Sequence, residues 1–105
     1  MIQGGDPTAT GAGGPGYLTV DRPPAGTRYL FGTVAMAKTQ AQPAGTSGSQ
    51  FFVVTGADAG LPPDYAVLGD VVAGAPVVRR IGQLGDPNEQ PTAIVEIERA
   101  TVAVG

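Results

Sequence analysis

Glycine and proline set the strongest limit on what this chain can fold into. There are 17 glycines and 10 prolines among its 105 residues. Such a composition approaches that of disordered chains. However, the net charge is only −3 and the apolar residues are clustered, whereas chains that stay unfolded combine low hydrophobicity with high charge. We therefore expect a single domain over residues 1–105, built from short strands joined by tight turns.

Composition also excludes several classes of function. The chain has no cysteine and no histidine, which excludes thiol chemistry, disulfides, zinc sites and imidazole-based catalysis. The acidic residues are scattered, so we expect no metal site and no cofactor. The few basic residues form no patch for nucleic acid, and no apolar run is long enough to span a membrane. Residues 1–6 lack the features of a secretion signal, so we expect a cytoplasmic protein.

Hydrophobic periodicity predicts a mainly β chain with one helix. Strands are predicted over residues 17–20, 30–37, 49–55, 65–72 and 92–102. A bulge or a close contact is expected at Gly69, because glycine weakens a strand interior. A short helix is predicted to start at Pro76, with Arg79 and Arg80 on its solvent side, and to end before Gly85. Long loops are predicted over residues 6–16 and 38–48, with Asp6 as a turn starter.

The strand over residues 49–55 is the best candidate for a binding surface. Side chains alternate along a strand, so Gln50 and Phe52 share one face while Phe51 and Val53 take the other. The first face would offer an apolar floor for a small ligand, with an amide at its rim. In the alternative interpretation, both phenylalanines are ordinary core residues. The glycine-rich loop over residues 6–16 is not followed by a Gly-Lys-Ser/Thr sequence or a helix, which argues against a nucleotide site.

Five motifs along the chain occur together, in this order and spacing, in one known family. They are Met1-Ile2-Gln3-Gly4-Gly5-Asp6, Gly11-x-Gly13-Gly14, Gly32-Thr33-Val34-Ala35-Met36-Ala37, Gly48-Ser49-Gln50-Phe51-Phe52 and Leu68-Gly69-Asp70-Val71. From Met1 to about Val102 the chain resembles the cyclophilins, which are peptidyl-prolyl cis-trans isomerases. Residues 56–70 look most like the bacterial, particularly actinobacterial, branch.

The resemblance implies a cyclophilin-like, closed eight-stranded antiparallel β-barrel capped by two helices. This chain begins at the methionine of the family motif Phe-Met-x-Gln-Gly-Asp. It would therefore correspond to the carboxyl-terminal two-thirds of a cyclophilin domain, lacking the first strands and the first helix. Incomplete barrels expose unpaired sheet edges. We expect an open half-barrel of low stability, or self-association through its edges.

The resemblance also implies the site residues, by motif position. Met1, Phe52 and Leu61 would line the proline pocket, and Gln3 and Gln50 would hydrogen-bond the substrate backbone. The backbone at Ala37, Lys38 and Thr39 would pair with the bound peptide like an added strand. Gly11 lies in a loop that would frame the site, and Tyr65 would form its polar wall.

Three departures from the family pattern affect these expectations. Lys38 replaces the usual asparagine. Gly60 stands where cyclosporin-sensitive members have tryptophan, so we expect weak or no cyclosporin binding. The family arginine is absent, and neither Arg22 nor Arg28 lies in its motif position, so no catalytic residue is assigned.

The resulting hypothesis is peptidyl-prolyl cis-trans isomerisation of X–Pro bonds in peptides and unfolded proteins, which would assist protein folding. One alternative is a catalytically weak or inactive fragment that binds proline peptides, because the arginine is missing. A second alternative is a small β-rich interaction protein whose pocket is incidental.

Overall fold

A computed structural model describes residues 1–88 and 90–104 of the chain. It contains six short strands and one helix in these residues. They are β1 (Ile2–Gly4), β2 (Thr19–Val20), β3 (Thr33–Met36), β4 (Thr46–Ser47), β5 (Phe51–Val53), β6 (Val67–Asp70) and α1 (Ala75–Gly82). The prediction of a mainly β chain with one helix is therefore confirmed.

The main sheet has four antiparallel strands in the order β1-β5-β3-β6, and β2 pairs with β4 in a separate two-stranded sheet. Phe52 lies opposite Gln3 on one side and Ala35 on the other. Residues directly opposite each other point to the same face, so these three side chains share a face. Phe51 points to the reverse face. The described residues form an open sheet and not a closed barrel.

One face of the sheet is closed by a small aromatic core. Tyr29, Phe52 and Val54 are almost completely buried there, and Tyr65 packs against them. The Tyr29 hydroxyl donates a hydrogen bond to the Tyr65 carbonyl at 2.6 Å and accepts one from the Tyr65 N–H at 2.9 Å. Because buried polar groups are costly unless they are paired, this exchange fixes two loop segments against the sheet.

The expected irregularity near Gly69 is a β-bulge. Val34 pairs with Gly69, whereas the next residue, Ala35, pairs with Val67, so Leu68 is the extra residue in β6. A side chain at Gly69 would meet no atom within 4 Å. The glycine therefore marks a bulge and not a close approach of another segment.

Helix α1 begins as predicted but ends earlier. Pro76 lies in its first turn, after Gly74 with φ of 84°, while the last helical residue is Gly82 and not the residue before Gly85. At Gly82 an added Cβ would lie 3.1 Å from the Thr55 side chain, so a larger residue there would crowd the sheet. The Arg79 guanidinium lies 4.4 Å from the centre of the Phe31 ring. The periodicity predicted that Arg79 faces only solvent, but its guanidinium also packs on this ring.

The predicted terminal strand over residues 92–102 is wrong. These residues form no strand in the described part of the chain, and Ile94 is 89% exposed. Val95 and Ile97 instead line a cavity of about 1060 Å³ on the reverse face of the sheet, together with Ile2 and Phe51. An alternating pattern forms a strand only where a neighbouring edge supplies hydrogen bonds, and in the described residues this segment pairs with no strand.

Candidate functional site

A groove of about 430 Å³ lies where β1 and β5 meet two long loops. Its lining consists of Gln3, residues 11–18, Ala37, Lys38, Thr39, Gln42 and residues 48–50. The predicted site residues Gln3, Gly11, Ala37, Lys38, Thr39 and Gln50 therefore line one groove. The loops over residues 6–16 and 38–48 frame it.

A chain of side-chain amides forms the floor of the groove. The Gln50 Nε2 donates to the carbonyls of Gly13 at 2.7 Å and Gly11 at 3.2 Å. The Gln50 Oε1 accepts a hydrogen bond from the Gln3 Nε2 at 2.8 Å. Gln50 thus has both of its N–H groups engaged, whereas Gln3 has no second partner among the described residues. Of the two glutamines, Gln3 is the one with a donor N–H group left for a ligand.

Of the predicted pocket residues, Phe52, Leu61 and Tyr65 form a cluster next to the groove, whereas Met1 is not part of it, and none of the four lines the groove itself. Phe52 is only 3% exposed, and the Tyr65 ring meets it edge-on, with centroids 5.5 Å apart. Leu61 and Ala37, both partly buried, pack against the same cluster. The Phe52 ring is therefore a covered base and not an open floor, whereas Leu61 and Tyr65 are the larger cluster residues that keep exposed surface. Met1 precedes β1 and is 60% exposed.

Lys38 connects the groove with the aromatic cluster. Its Nζ lies 5.2 Å from the centre of the Tyr65 ring, a distance at which a cation is attracted to an aromatic face. The same Nζ donates to the Thr39 carbonyl at 3.3 Å. Among the described residues that line the groove, Lys38 is the only charged one.

The backbone at residues 37–39, predicted to pair with a bound peptide, is partly engaged already. The Ala37 N–H donates to the Gln50 carbonyl at 2.9 Å. The Thr39 N–H donates to the Gln42 side chain at 2.8 Å. Any added strand must therefore use the Lys38 N–H and the carbonyl groups of Ala37 and Lys38, or displace Gln42, because the Thr39 carbonyl accepts hydrogen bonds from Gln42 and Lys38.

Asp6 organises the glycine-rich loop on the other wall. One carboxylate oxygen accepts hydrogen bonds from the Thr8 N–H and hydroxyl, both at 2.8 Å. The other accepts from the N–H groups of Gly11 at 2.6 Å, Thr10 at 3.0 Å and Gly13 at 3.2 Å. Desolvation raises the pKa of Asp6, but these hydrogen bonds outweigh it and hold the pKa well below its usual range. Sequence reasoning identified Asp6 only as a turn starter.

No arginine lines the groove in the part of the chain that the structure describes. Arg28 pairs instead with Asp58. The backbone N–H of Gly60 and the Arg28 guanidinium lower the pKa of that carboxyl. Arg28 therefore serves the loop that leads to Leu61.

Residues 1–88 and 90–104 contain no group of three or more His, Cys, Asp or Glu side chains that could hold a metal ion. No helix in these residues is both long and apolar enough to cross a membrane.

Comparison with known proteins decides the family. A sequence profile described as "Cyclophilin type peptidyl-prolyl cis-trans isomerase/CLD" matches residues 1–102. The chain belongs to the cyclophilin family. The five motifs that suggested this resemblance lie within the matched residues, and the two with glutamine place Gln3 and Gln50 side by side in the groove.

Several curated cyclophilins cover almost the whole chain. Peptidyl-prolyl cis-trans isomerase A of Mycobacterium tuberculosis is 39% identical over 98% of this chain and 57% of its own length. Peptidyl-prolyl cis-trans isomerase B of Streptomyces anulatus is 37% identical over 97% of this chain and 59% of its own length. Peptidyl-prolyl cis-trans isomerase-like 1 of Neurospora crassa is 36% identical over 97% of this chain and 64% of its own length. This cyclophilin chain thus spans less than two thirds of these relatives. No solved structure gave a significant match.

Proposed function

We propose that this chain binds proline-containing segments of peptides and unfolded proteins in the groove, and that it isomerises their X–Pro bonds. The observation that carries the proposal is the register of β1 and β5. It places Gln3 directly opposite Phe52, so a hydrogen-bonding amide stands beside the aromatic cluster on one face of the sheet. A proline residue needs this pair of features, because its ring is apolar and the carbonyl before it is polar.

In this proposal the site residues divide into two roles. Leu61 and Tyr65 contact the proline ring, supported from below by Phe52, while Met1 lies at the exposed outer end. Gln3 binds the peptide backbone and the segment over residues 37–39 aligns it. Gly11 shapes the facing wall, and Gln50 orients Gln3 rather than acting as a donor itself.

Isomerisation requires the site to favour the twisted amide over both planar forms. The barrier for a peptide bond is roughly 18–20 kcal/mol. Holding the ring in the cluster while Gln3 holds the adjacent carbonyl favours twisting about the bond between them. A donor to the prolyl nitrogen would lower the barrier further, and removing one such preorganised donor typically costs about 100- to 1000-fold in rate. Because no guanidinium lines the described groove, we expect peptide binding with slow turnover.

The test is to measure binding and turnover of the same tetrapeptide, Ala-Ala-Pro-Phe, in parallel. Binding is followed by NMR titration and turnover by a protease-coupled assay. We expect the Leu61→Ala and Gln3→Ala variants to weaken binding by about tenfold each, the effect of losing one apolar or hydrogen-bonding contact. Leu68→Ala is the control for Leu61, because Leu68 is 68% exposed in the bulge of β6. Equal affinity in all four proteins would refute the assignment of the groove.

The same pair of measurements distinguishes the enzyme from the alternative, a fragment that binds peptides without turnover. Acceleration of isomerisation by the wild-type chain supports the enzyme, and binding without acceleration supports the fragment. Cyclosporin serves as a further probe. Gly60 has φ of 66° and offers no side chain beside Leu61, so we expect weak or no binding of the drug.

A further inference from the structure

Asp6 and the groove amides belong to one continuous hydrogen-bonded network. The Asp6 carboxylate receives the N–H groups of Gly11 and Gly13. The carbonyls of the same two glycines accept hydrogen bonds from the Gln50 Nε2. The Gln50 Oε1 in turn accepts a hydrogen bond from the Gln3 Nε2. Each glycine is therefore held on its N–H side by Asp6 and offers its carbonyl to Gln50.

We propose that Asp6 is a positioning residue of the groove: by fixing the carbonyls of Gly11 and Gly13 it orients Gln50, and through Gln50 it aims the Gln3 amide at the bound peptide. The inference rests on the proposed function for the identity of the ligand. The positioning itself concerns only groups within this chain.

The close fit of the loop around the carboxylate supports this role. A Cβ at Gly13 would overlap the Asp6 carboxylate and lie 2.5 Å from the Thr8 hydroxyl, so the loop can close on Asp6 only with glycine there. The carboxylate accepts charge-assisted bonds from four backbone N–H groups of one short loop, and such bonds are stronger than neutral ones. Chains of hydrogen bonds also polarise one another, which links a charge on Asp6 to the geometry at Gln3.

The hydrogen-bonded network also explains why Gln50 has no N–H group left for a bound peptide. Its two N–H groups are taken by carbonyls whose positions Asp6 determines, and its oxygen is taken by Gln3. If the loop were released, Gln50 would lose both acceptors, and Gln3 would lose the partner that limits its rotamers. The expected consequence is a weaker and less directional hydrogen bond from Gln3 to the peptide.

The experiment uses two different variants that break the contact between the loop and the Asp6 carboxylate, each with a matched control. Asp6→Ala removes the carboxylate, and Gly13→Ala excludes the loop from it without changing the charge. Asp86→Ala is the control for the first, because Asp86 accepts the backbone N–H groups of Asn88 and Gln90 in a similar turn outside the groove. Gly26→Ala is the control for the second, because an added Cβ there meets no atom within 4 Å.

The readouts are the side-chain amide NMR signals of Gln3 and Gln50 and the dissociation constant for Ala-Ala-Pro-Phe. We expect both test variants to move the two glutamine signals toward solvent-exposed values and to weaken binding by about 5- to 10-fold, the effect of losing one oriented hydrogen bond. We expect the controls to stay within about twofold of wild type, as for ordinary surface substitutions. Asp6→Asn, which keeps the shape but not the charge, should fall between wild type and Asp6→Ala and serves as the test if the alanine variant does not fold.

Shifts confined to the backbone signals of Gly11 and Gly13, with unchanged glutamine signals and affinity, would overturn the proposal and leave Asp6 a loop-stabilising residue. If the wild-type chain does not bind the tetrapeptide, the proposed function fails. The glutamine signals need no peptide, so they still decide whether Asp6 positions the amides.

Discussion

Replacing Tyr29 with phenylalanine tests what holds the aromatic cluster together. Tyr29 is completely buried and its hydroxyl makes two hydrogen bonds, both to the backbone of Tyr65. A net hydrogen bond contributes about 0.5–1.5 kcal/mol, and a buried group left unpaired costs about 1–3 kcal/mol. Tyr65 is only partly buried, so water can replace some of the loss. We therefore expect Tyr29→Phe to lower the free energy of unfolding by about 2 kcal/mol.

Equilibrium unfolding in urea, followed by circular dichroism, measures this change. With a slope of about 1 kcal/mol per molar urea for a small domain, the midpoint should fall by about 2 M. Tyr17→Phe is the control, because Tyr17 is 67% exposed and its hydroxyl has no hydrogen bond in the described residues. A fall of less than about 0.5 kcal/mol, within the range of ordinary surface substitutions, would refute the idea that the Tyr29 hydroxyl anchors the Tyr65 segment.

Four further predictions concern the charged residues, the buried Tyr29 and the open face. The pKa values of Asp6 and Asp58 are lowered from 3.8, so their stabilisation is present above pH about 4 and lost on acidification below it; the unfolding midpoint between pH 5 and 2 should fall less steeply in Asp6→Asn. Burial raises the pKa of Tyr29 above 10.0, so its contribution should be lost in alkali above pH about 10. Lys38→Gln should weaken binding of Glu-Ala-Pro-Phe by about twofold relative to Gln-Ala-Pro-Phe, the size of an exposed ion pair, and equal ratios in both proteins would refute a role for the charge. Sedimentation should show concentration-dependent self-association through the open face and edges, reduced by Ile97→Asp; a monomer with a sharp cooperative melt would contradict this.

The alternation of apolar residues and the position of glycine predicted the strands and the bulge that neighbouring residues in the sequence determine. Strands β2, β3, β5 and β6 fall inside the predicted strands, and the bulge lies beside Gly69, where the lack of a side chain made it expected. The two-residue strand β4 and the three-residue strand β1 were not predicted, because they are too short to show a period and contain or adjoin glycine. The strand predicted over residues 92–102 was wrong for the opposite reason. It has a clear period of two, but a strand also needs a partner edge, which periodicity cannot reveal.

The motifs brought Gln3 and Gln50 to one groove, but they did not predict how these residues interact. That Gln50 uses its donors on Gly11 and Gly13 depends on where the loop carbonyls point, which follows from the hydrogen bonds of Asp6. Sequence reasoning also missed Tyr29. It comes from a segment without hydrophobic period, and its role depends on its contact with Tyr65, 36 residues further along the chain. The one available signal was its position directly before the apolar residues Leu30 and Phe31.

The two faces of β5 have different consequences for function and stability. Phe52 belongs to a face closed by Tyr29 and Tyr65, and this face supports the groove. Phe51 belongs to a face that opens onto the cavity of about 1060 Å³. Because strand side chains alternate, the two faces contact different residues, and each can be tested through one of them: Ile97 on the reverse face and Leu61 beside the groove. A polar residue at Ile97 should alter self-association while leaving peptide affinity unchanged, whereas Leu61→Ala should alter affinity without affecting self-association. If both variants changed both properties, the two faces would be coupled through the sheet, and peptide binding would depend on how the reverse face is covered.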